Sequence, residues 1–367
     1  MRYAKPFLAL LALLILLAPP VRAQGKAEGE AVKFKTVDGV TIKGKFYKGE
    51  NTNAPIVMLL HNLNEASKKK NWLALADQLQ KKGYAVLTFD FRGHGDSTTV
   101  EPKLFWSKQH PFNLQVPGWR ENAASIDNGK FDKKYLPALV NDIAAAKAFL
   151  DRKNDAKECN SSRIIVIGAE TGATLGAIWL KSEWNRYNVK LNPMLLKPWP
   201  LVDRFGRPKI DKPPEGSATI CAVWLSISPK LGDRPINLSS LLSKPAREEA
   251  VPMIFMHSDG DKSGKTLARD LEKNLVPNKK NEKYRFTAAV EVKNGSKLKG
   301  SELLQKKTID DLLTYLDDAT KDKGEEWMER EFRRSAFIWW TGVGAPLVVK
   351  IPDDMNLIFS TYDMFLR

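Results

Sequence analysis

Between Arg163 and Trp179 the chain reads Arg-Ile-Ile-Val-Ile-Gly-Ala-Glu-Thr-Gly-Ala-Thr-Leu-Gly-Ala-Ile-Trp. The β-branched run Ile164 to Ile167 favours a strand buried on both faces. Gly168 and Gly172 bracket Ala169-Glu170-Thr171, and the residues beyond favour a helix. A strand that passes straight into a helix needs a sharp corner, and glycine permits the close approach such a corner demands. The stretch predicts strand, tight elbow and helix, with Glu170 at the apex.

Similar alternation runs through the chain. Val32 to Val37 and Val40 to Tyr47 alternate around Asp38-Gly39, a hairpin signal. Pro55 to His61 and Tyr84 to Phe89 are continuous apolar runs, with a helical pattern from Trp72 to Lys82 between them. Tyr135 to Asp151 is amphipathic and precedes the elbow. After it, strands are predicted at Ala218–Ile227, Val251–His257 and Phe286–Val292, and helices at Lys265–Leu275 and Ser301–Asp318. Strands alternating with helices imply an α/β fold with a mostly parallel sheet covered on both faces. Two stretches without a period, about 98–134 and 186–216, read as irregular inserts rich in proline and aromatics. The main domain spans 32–320. A C-terminal extension, 321–367, carries a charged helical pattern from Glu325 to Arg334 and is expected to pack on that domain, since its aromatics would otherwise be exposed.

Arg2 and Lys5, an apolar stretch from Phe7 to Ala18 and the exit Val21-Arg22-Ala23 have the form of a signal peptide over 1–23. A flexible lead-in, 24–31, follows. The expected location is periplasmic or secreted. The whole chain carries +15; losing the leader's three basic residues, with no acid lost, leaves +12. A basic exported surface fits a solvated protein or one drawn to an anionic envelope polymer, and export excludes nucleic acid as a partner. The two cysteines, Cys159 and Cys221, each sit near the start of a predicted strand. Neighbouring strands in an oxidising compartment allow a disulfide between them; two free thiols are the alternative. Neither a Cys-x-x-Cys nor a His pair at ligand spacing occurs, so no metal and no cofactor is expected.

Four stretches resemble the α/β-hydrolase family, in its esterase and dienelactone-hydrolase branch, in order and spacing. Leu60-His61-Asn62-Leu63 resembles the His-Gly-x element after strand three, with Asn62 for the glycine, a residue that tolerates positive φ. Asp90-x-Arg-Gly-His-Gly-Asp-Ser97 resembles the turn after strand four. The elbow resembles Gly-x-Ser-x-Gly, with Glu170 for the serine. Pro252 to Asp261 resembles the segment ending in the triad acid, at Asp261. After the last strand, Lys299 occupies the histidine's place, and no histidine follows His257.

The resemblance implies the α/β-hydrolase fold, with oxyanion-hole amides at Leu63 and Thr171 and triad-equivalent positions at Glu170, Asp261 and Lys299. Serine hydrolysis needs a nucleophile, an imidazole and an orienting acid, and only the acid survives. The opposite charges of Glu170 and Lys299 suggest that they form a buried ionic cluster with Asp261 and that the site is catalytically silent. The expected function is a non-catalytic binding or scaffolding domain, its partner a protein or a small carbonyl or carboxylate compound. The alternative is an active ester hydrolase using Glu170, Asp261 and Lys299. His61, His94, His110 and His257 are assigned packing or surface roles, and the Thr171 hydroxyl a helix cap. Ser226, Ser228 and Ser258 are placed to face the site, without a base to activate them.

Overall fold

The computed structural model describes residues 29–189, 202–204, 209–210, 213–293, 297–329, 336–339 and 347–350, with backbone alone at 188–189 and in the last two stretches. The expected leader, most of the lead-in and most of the second insert lie outside these residues. The first half comprises β1 (Glu30–Lys35), β2 (Thr41–Tyr47), β3 (Pro55–Leu60), α1 (Lys70–Lys81), β4 (Ala85–Phe89), α2 (Pro102–Phe105), α3 (Val140–Asp155), β5 (Asn160–Ala169) and α4 (Glu170–Glu183). The second half comprises β6 (Arg186–Val189), β7 (Thr219–Leu225), β8 (Lys230–Leu231), β9 (Arg234–Pro235), α5 (Leu238–Leu242), β10 (Met253–Ser258), α6 (Lys262–Leu275), β11 (Ala288–Val292), α7 (Lys306–Thr320), β12 (Ala336–Trp339) and β13 (Leu347–Lys350).

Eight strands form one sheet in the order β1-β2-β4-β3-β5-β7-β10-β11. β1 and β2 pair antiparallel with their neighbours, and the strands from β4 to β11 run parallel. The apolar runs are long enough to bury alternate side chains on both faces. Met58, Val166, Trp224 and Phe255 pack on one side with α3, α4 and α6. Val57, Ile167, Val223 and Met256 pack on the other with α1 and α7. This is the mostly parallel α/β sheet that the sequence predicts.

One choice the sequence leaves open is decided, and one expectation fails. Cys159 and Cys221 are buried free thiols. Cys221 pairs in register with Ile165, six positions beyond Cys159, and the two cysteines belong to the clusters on opposite faces of the sheet. Side chains that pack on opposite faces of the sheet are not placed for the short Cβ–Cβ approach a disulfide needs. The tail departs from the helical reading: 325–329 is irregular. Its polar main chain is claimed by asparagines of the main domain. Asn160 Nδ2 donates to Glu325 O at 2.9 Å, Trp327 N to Asn53 Oδ1 at 3.0 Å, and Asn154 Nδ2 to Met328 O at 3.2 Å. Further along, β12 pairs antiparallel with β6 and with β13, so the tail and the second insert share a three-stranded sheet.

The first insert is held by a buried cation. Arg92 is fully buried and donates to Asp142 from Nε at 2.8 Å and to Asp38 from Nη1 at 2.6 Å and Nη2 at 3.1 Å. Its Nη1 also donates to Tyr135 Oη at 3.0 Å, and Asn113 Nδ2 donates to Asp38 at 3.0 Å. The network therefore joins the β1–β2 turn, the turn after β4, the insert and α3. Burial pushes the Asp38 carboxyl up, but Arg92 and the surrounding donors outweigh it and hold it at about 2, below its ordinary 3.8. A depressed folded value gives stability that is complete above about pH 4 and lost as pH falls through about 2. Asp38→Asn should cost about 3 kcal/mol at neutral pH and flatten the acid limb between those values, as read by urea unfolding at stepped pH.

Candidate functional site

Parallel sheets present their loops for chemistry at the carboxyl ends of the strands. Here the ends of β3, β4, β5, β7, β10 and β11 bring Asn62, Asp90, Glu170, Ser226, Asp261 and Lys299 to one edge. At the elbow, Glu170 has φ +47°, the left-handed region that a non-glycine residue enters only at a cost. The flanking glycines make that corner possible. A Cβ on Gly168 would stand 2.7 Å from Ala173 Cα, and one on Gly172 would stand 2.1 Å from the carbonyl oxygen of His61. α4 thereby begins directly against the end of β3, and Glu170 and Asn62 meet.

Asn62 Nδ2 donates to Glu170 Oε1 at 2.8 Å. The other end of the same amide accepts from the Thr171 hydroxyl at 2.6 Å. That hydroxyl in turn accepts from the Leu63 amide at 3.2 Å. Leu63 and Thr171 are thus adjacent, but the amide expected to face a ligand oxygen is already bonded to a side chain. Thr171 does not cap α4, whose N-cap is Ala169 without a side-chain bond. Nor does Asn62 use positive φ; its side chain, which a glycine would lack, is what the site employs.

Glu65 belongs to the same cluster and was not singled out from the sequence. Its carboxylate accepts from Trp72 Nε1 at 2.8 Å, Ser301 Oγ at 2.7 Å and the backbone N–H of Asn62 at 3.3 Å, and it pairs with Lys69 Nζ at 2.9 Å. The only sequence signal is its spacing four before Lys69. Burial pushes the Glu170 carboxyl above its ordinary 4.5, and the Glu65 charge pushes the same way, against Lys299 and Lys69. For Glu65, burial raises the carboxyl too, but Lys69, Ser301 and Trp72 hold it below that value. Gly300, at φ +52°, lies against Glu170: a Cβ there would be 2.7 Å from Oε1.

Lys299 pairs with Asp261, Nζ to Oδ2 at 3.3 Å, and the lysine side chain is 49% exposed. The expected buried three-way cluster therefore does not form: Lys299 and Asp261 pair at the rim, and Glu170 is bonded to a neutral amide. Asp261 Oδ1 accepts from Gly264 N at 3.0 Å and Ser263 Oγ at 2.7 Å, capping α6. His61 donates from Nδ1 to Asn62 O at 2.7 Å and accepts at Nε2 from Phe91 N at 3.1 Å. Burial drives it down to about 4, so it is a neutral packing residue. His94 spans Arg92 O and Leu63 O, and His257 Nδ1 meets Ser258 O. The buried Ser226 and Ser258 hydroxyls have no hydrogen-bond partner among the described residues, and Ser228 bonds to Lys230 O. No group of three or more metal-ligating side chains occurs among the described residues.

No protein-family model matches the chain. It is 41% identical over 66 residues to a thiohydrolase of Aspergillus aculeatus, a match that spans 18% of this chain and 20% of that protein. Among solved structures, a dienelactone hydrolase from Anabaena variabilis overlaps 82% of this chain and 100% of its own at 14% identity and a TM-score of 0.47. An esterase from Pyrococcus furiosus overlaps 79% and 90% at 16% identity and a TM-score of 0.47. The strand order and the left-handed elbow define the architecture. The chain has the α/β-hydrolase fold.

Two outcomes follow from the site's packing. Gly172→Ala should destabilise the protein by about 3 kcal/mol, because backbone rather than a movable side chain blocks the new methyl, as measured by denaturant unfolding. Glu65→Gln should lower the Glu170 pKa toward its ordinary value, since a neighbouring negative charge is removed. Carboxyl ¹³C chemical shifts followed against pH read this directly; an unchanged Glu170 titration would contradict the coupling.

Proposed function

We propose that this is an exported member of the α/β-hydrolase family whose elbow is catalytically silent and which acts as a binding or scaffolding protein. One observation carries the reading: the Leu63 amide is bonded to the Thr171 hydroxyl. A hydrolase keeps oxyanion donors aimed at the place where charge develops. Here one of the two expected donors is used internally, and the chain of bonds from it ends on Glu170. The imidazole position carries Lys299, whose ammonium is engaged by Asp261. Nothing in this arrangement takes a proton from a nucleophile and returns it. The basic surface would favour an anionic envelope polymer, and the inserts and tail would supply a surface for a protein partner.

An ester or thioester hydrolase using Glu170 is the second reading. It is supported by the left-handed backbone at Glu170, which keeps the strain of a nucleophile elbow. Hydrolysis of a short activated ester separates the two. The wild type should show no turnover and no fluorophosphonate labelling, and turnover abolished by Glu170→Ala would establish the second reading instead. In a Glu170→Ser/Lys299→His background, adding Thr171→Ala should raise ester turnover by about 10²-fold, the worth of one recovered oxyanion donor.

A further inference from the structure

At the opposite end of the sheet lies a cleft of about 320 Å³, bounded by the loop before β3, Tyr84 just ahead of β4, Arg163 of β5 and the last turn of α7. Arg163 and the elbow are seven positions apart on one extended strand, roughly 20 Å, so this cleft is separate from the candidate site.

Arg163 is its central feature. A guanidinium carries five N–H donors. Arg163 Nη1 reaches Asn53 O at 3.4 Å and Nη2 reaches Thr320 O at 3.3 Å, both beyond the usual range for such bonds. Its Nε is buried with no acceptor among the described residues. The nearby carboxylate is committed elsewhere: Asp317 accepts from Tyr84 Oη at 2.8 Å and pairs with Lys82 at 3.3 Å. Lys321 stands exposed on the rim. Three basic residues, Lys82, Arg163 and Lys321, and two acids, Glu50 and Asp317, line the cleft, leaving one excess positive charge.

The walls are fixed. Asn53 Oδ1 accepts from Asn160 Nδ2 at 2.8 Å and from Trp327 N at 3.0 Å. Gly324 packs on the arginine stem: a Cβ there would be 2.6 Å from Arg163 Cγ. The guanidinium is therefore held in place before any ligand arrives, with donors poorly met by the protein itself. A planar fork of this kind matches a carboxylate. A single excess charge suits a monoanion, whereas a dianion would meet Glu50 and Asp317.

We propose that this cleft binds a small monocarboxylate, anchored by Arg163 with Lys321 at the rim. The test is titration of the full chain with butyrate by isothermal calorimetry at low salt, with inorganic phosphate as the comparison. Saturable butyrate binding is expected, tighter than phosphate, about tenfold weaker in Arg163→Gln and about threefold weaker in Lys321→Ala. It should persist in Glu170→Ala, which marks the elbow. If Arg163→Gln does not fold, Lys321→Ala, an exposed change, decides alone. The proposal is overturned by an absence of saturation, by phosphate binding more tightly, by affinity indifferent to the cleft substitutions, or by loss of binding in Glu170→Ala.

Discussion

The architecture of the site depends on one close contact, the main chain of α4 at Gly172 against the carbonyl of His61. A side chain at residue 172 would collide with that oxygen. The absence of one brings the start of the helix onto the end of β3 and forces the corner at Glu170 into left-handed backbone. A non-glycine residue in that region stores about 1–2 kcal/mol. The strain is held in place by the packing around it: α4 is buried along most of its length, and β5 lies between β3 and β7 in the middle of the sheet. The elbow is thus a product of the core and not of the carboxylate at its apex.

That independence lets the chemistry at the apex change while the fold stays. A carboxylate in place of a hydroxyl brings a charge into a half-buried corner, and a buried charge needs a donor. Asn62 supplies it, and the same amide receives the Thr171 hydroxyl, which takes the Leu63 amide. An asparagine has a donor at one end and an acceptor at the other. It can therefore serve the carboxylate and the hydroxyl together, where a glycine at residue 62 would serve neither. The residues at 62 and 170, where the chain differs from the motifs it resembles, are two ends of one hydrogen bond.

The sheet was legible in the sequence because its signals are local. Four β-branched residues before Gly168, and continuous apolar runs at Pro55 and Tyr84, declare doubly buried strands by composition alone. The elbow was legible because backbone geometry demands glycine on either side. What escaped depends on direction and partnership, which spacing does not encode. The residue type at Asn62 suggests backbone tolerance, yet its side chain is what bonds Glu170 and Thr171. Glu65 has an ordinary helical neighbour in Lys69, but its partners Trp72 and Ser301 come from separate elements. The cysteines sit near the starts of adjacent strands, and neither their offset along the sheet nor the face each occupies follows from that. The charged pattern from Glu325 has a helical period, but Asn53, Asn154 and Asn160 claim its main chain first.

The opposite charges at residues 170 and 299 have a different logic from the direct pair their identities suggest. Lys299 is half exposed and is anchored by Asp261, whose other oxygen caps α6. It acts on Glu170 through space, as does Lys69, and both oppose the push from burial and from Glu65. Glu170 and Glu65, with Asp261 and Glu302, therefore face Lys69 and Lys299 without a Glu170–lysine bond among the described contacts. In such an arrangement the charge on Glu170 is set by a balance of several partners. The group that touches it is a neutral amide, so the carboxylate is held by a hydrogen bond and tuned by charges at a distance.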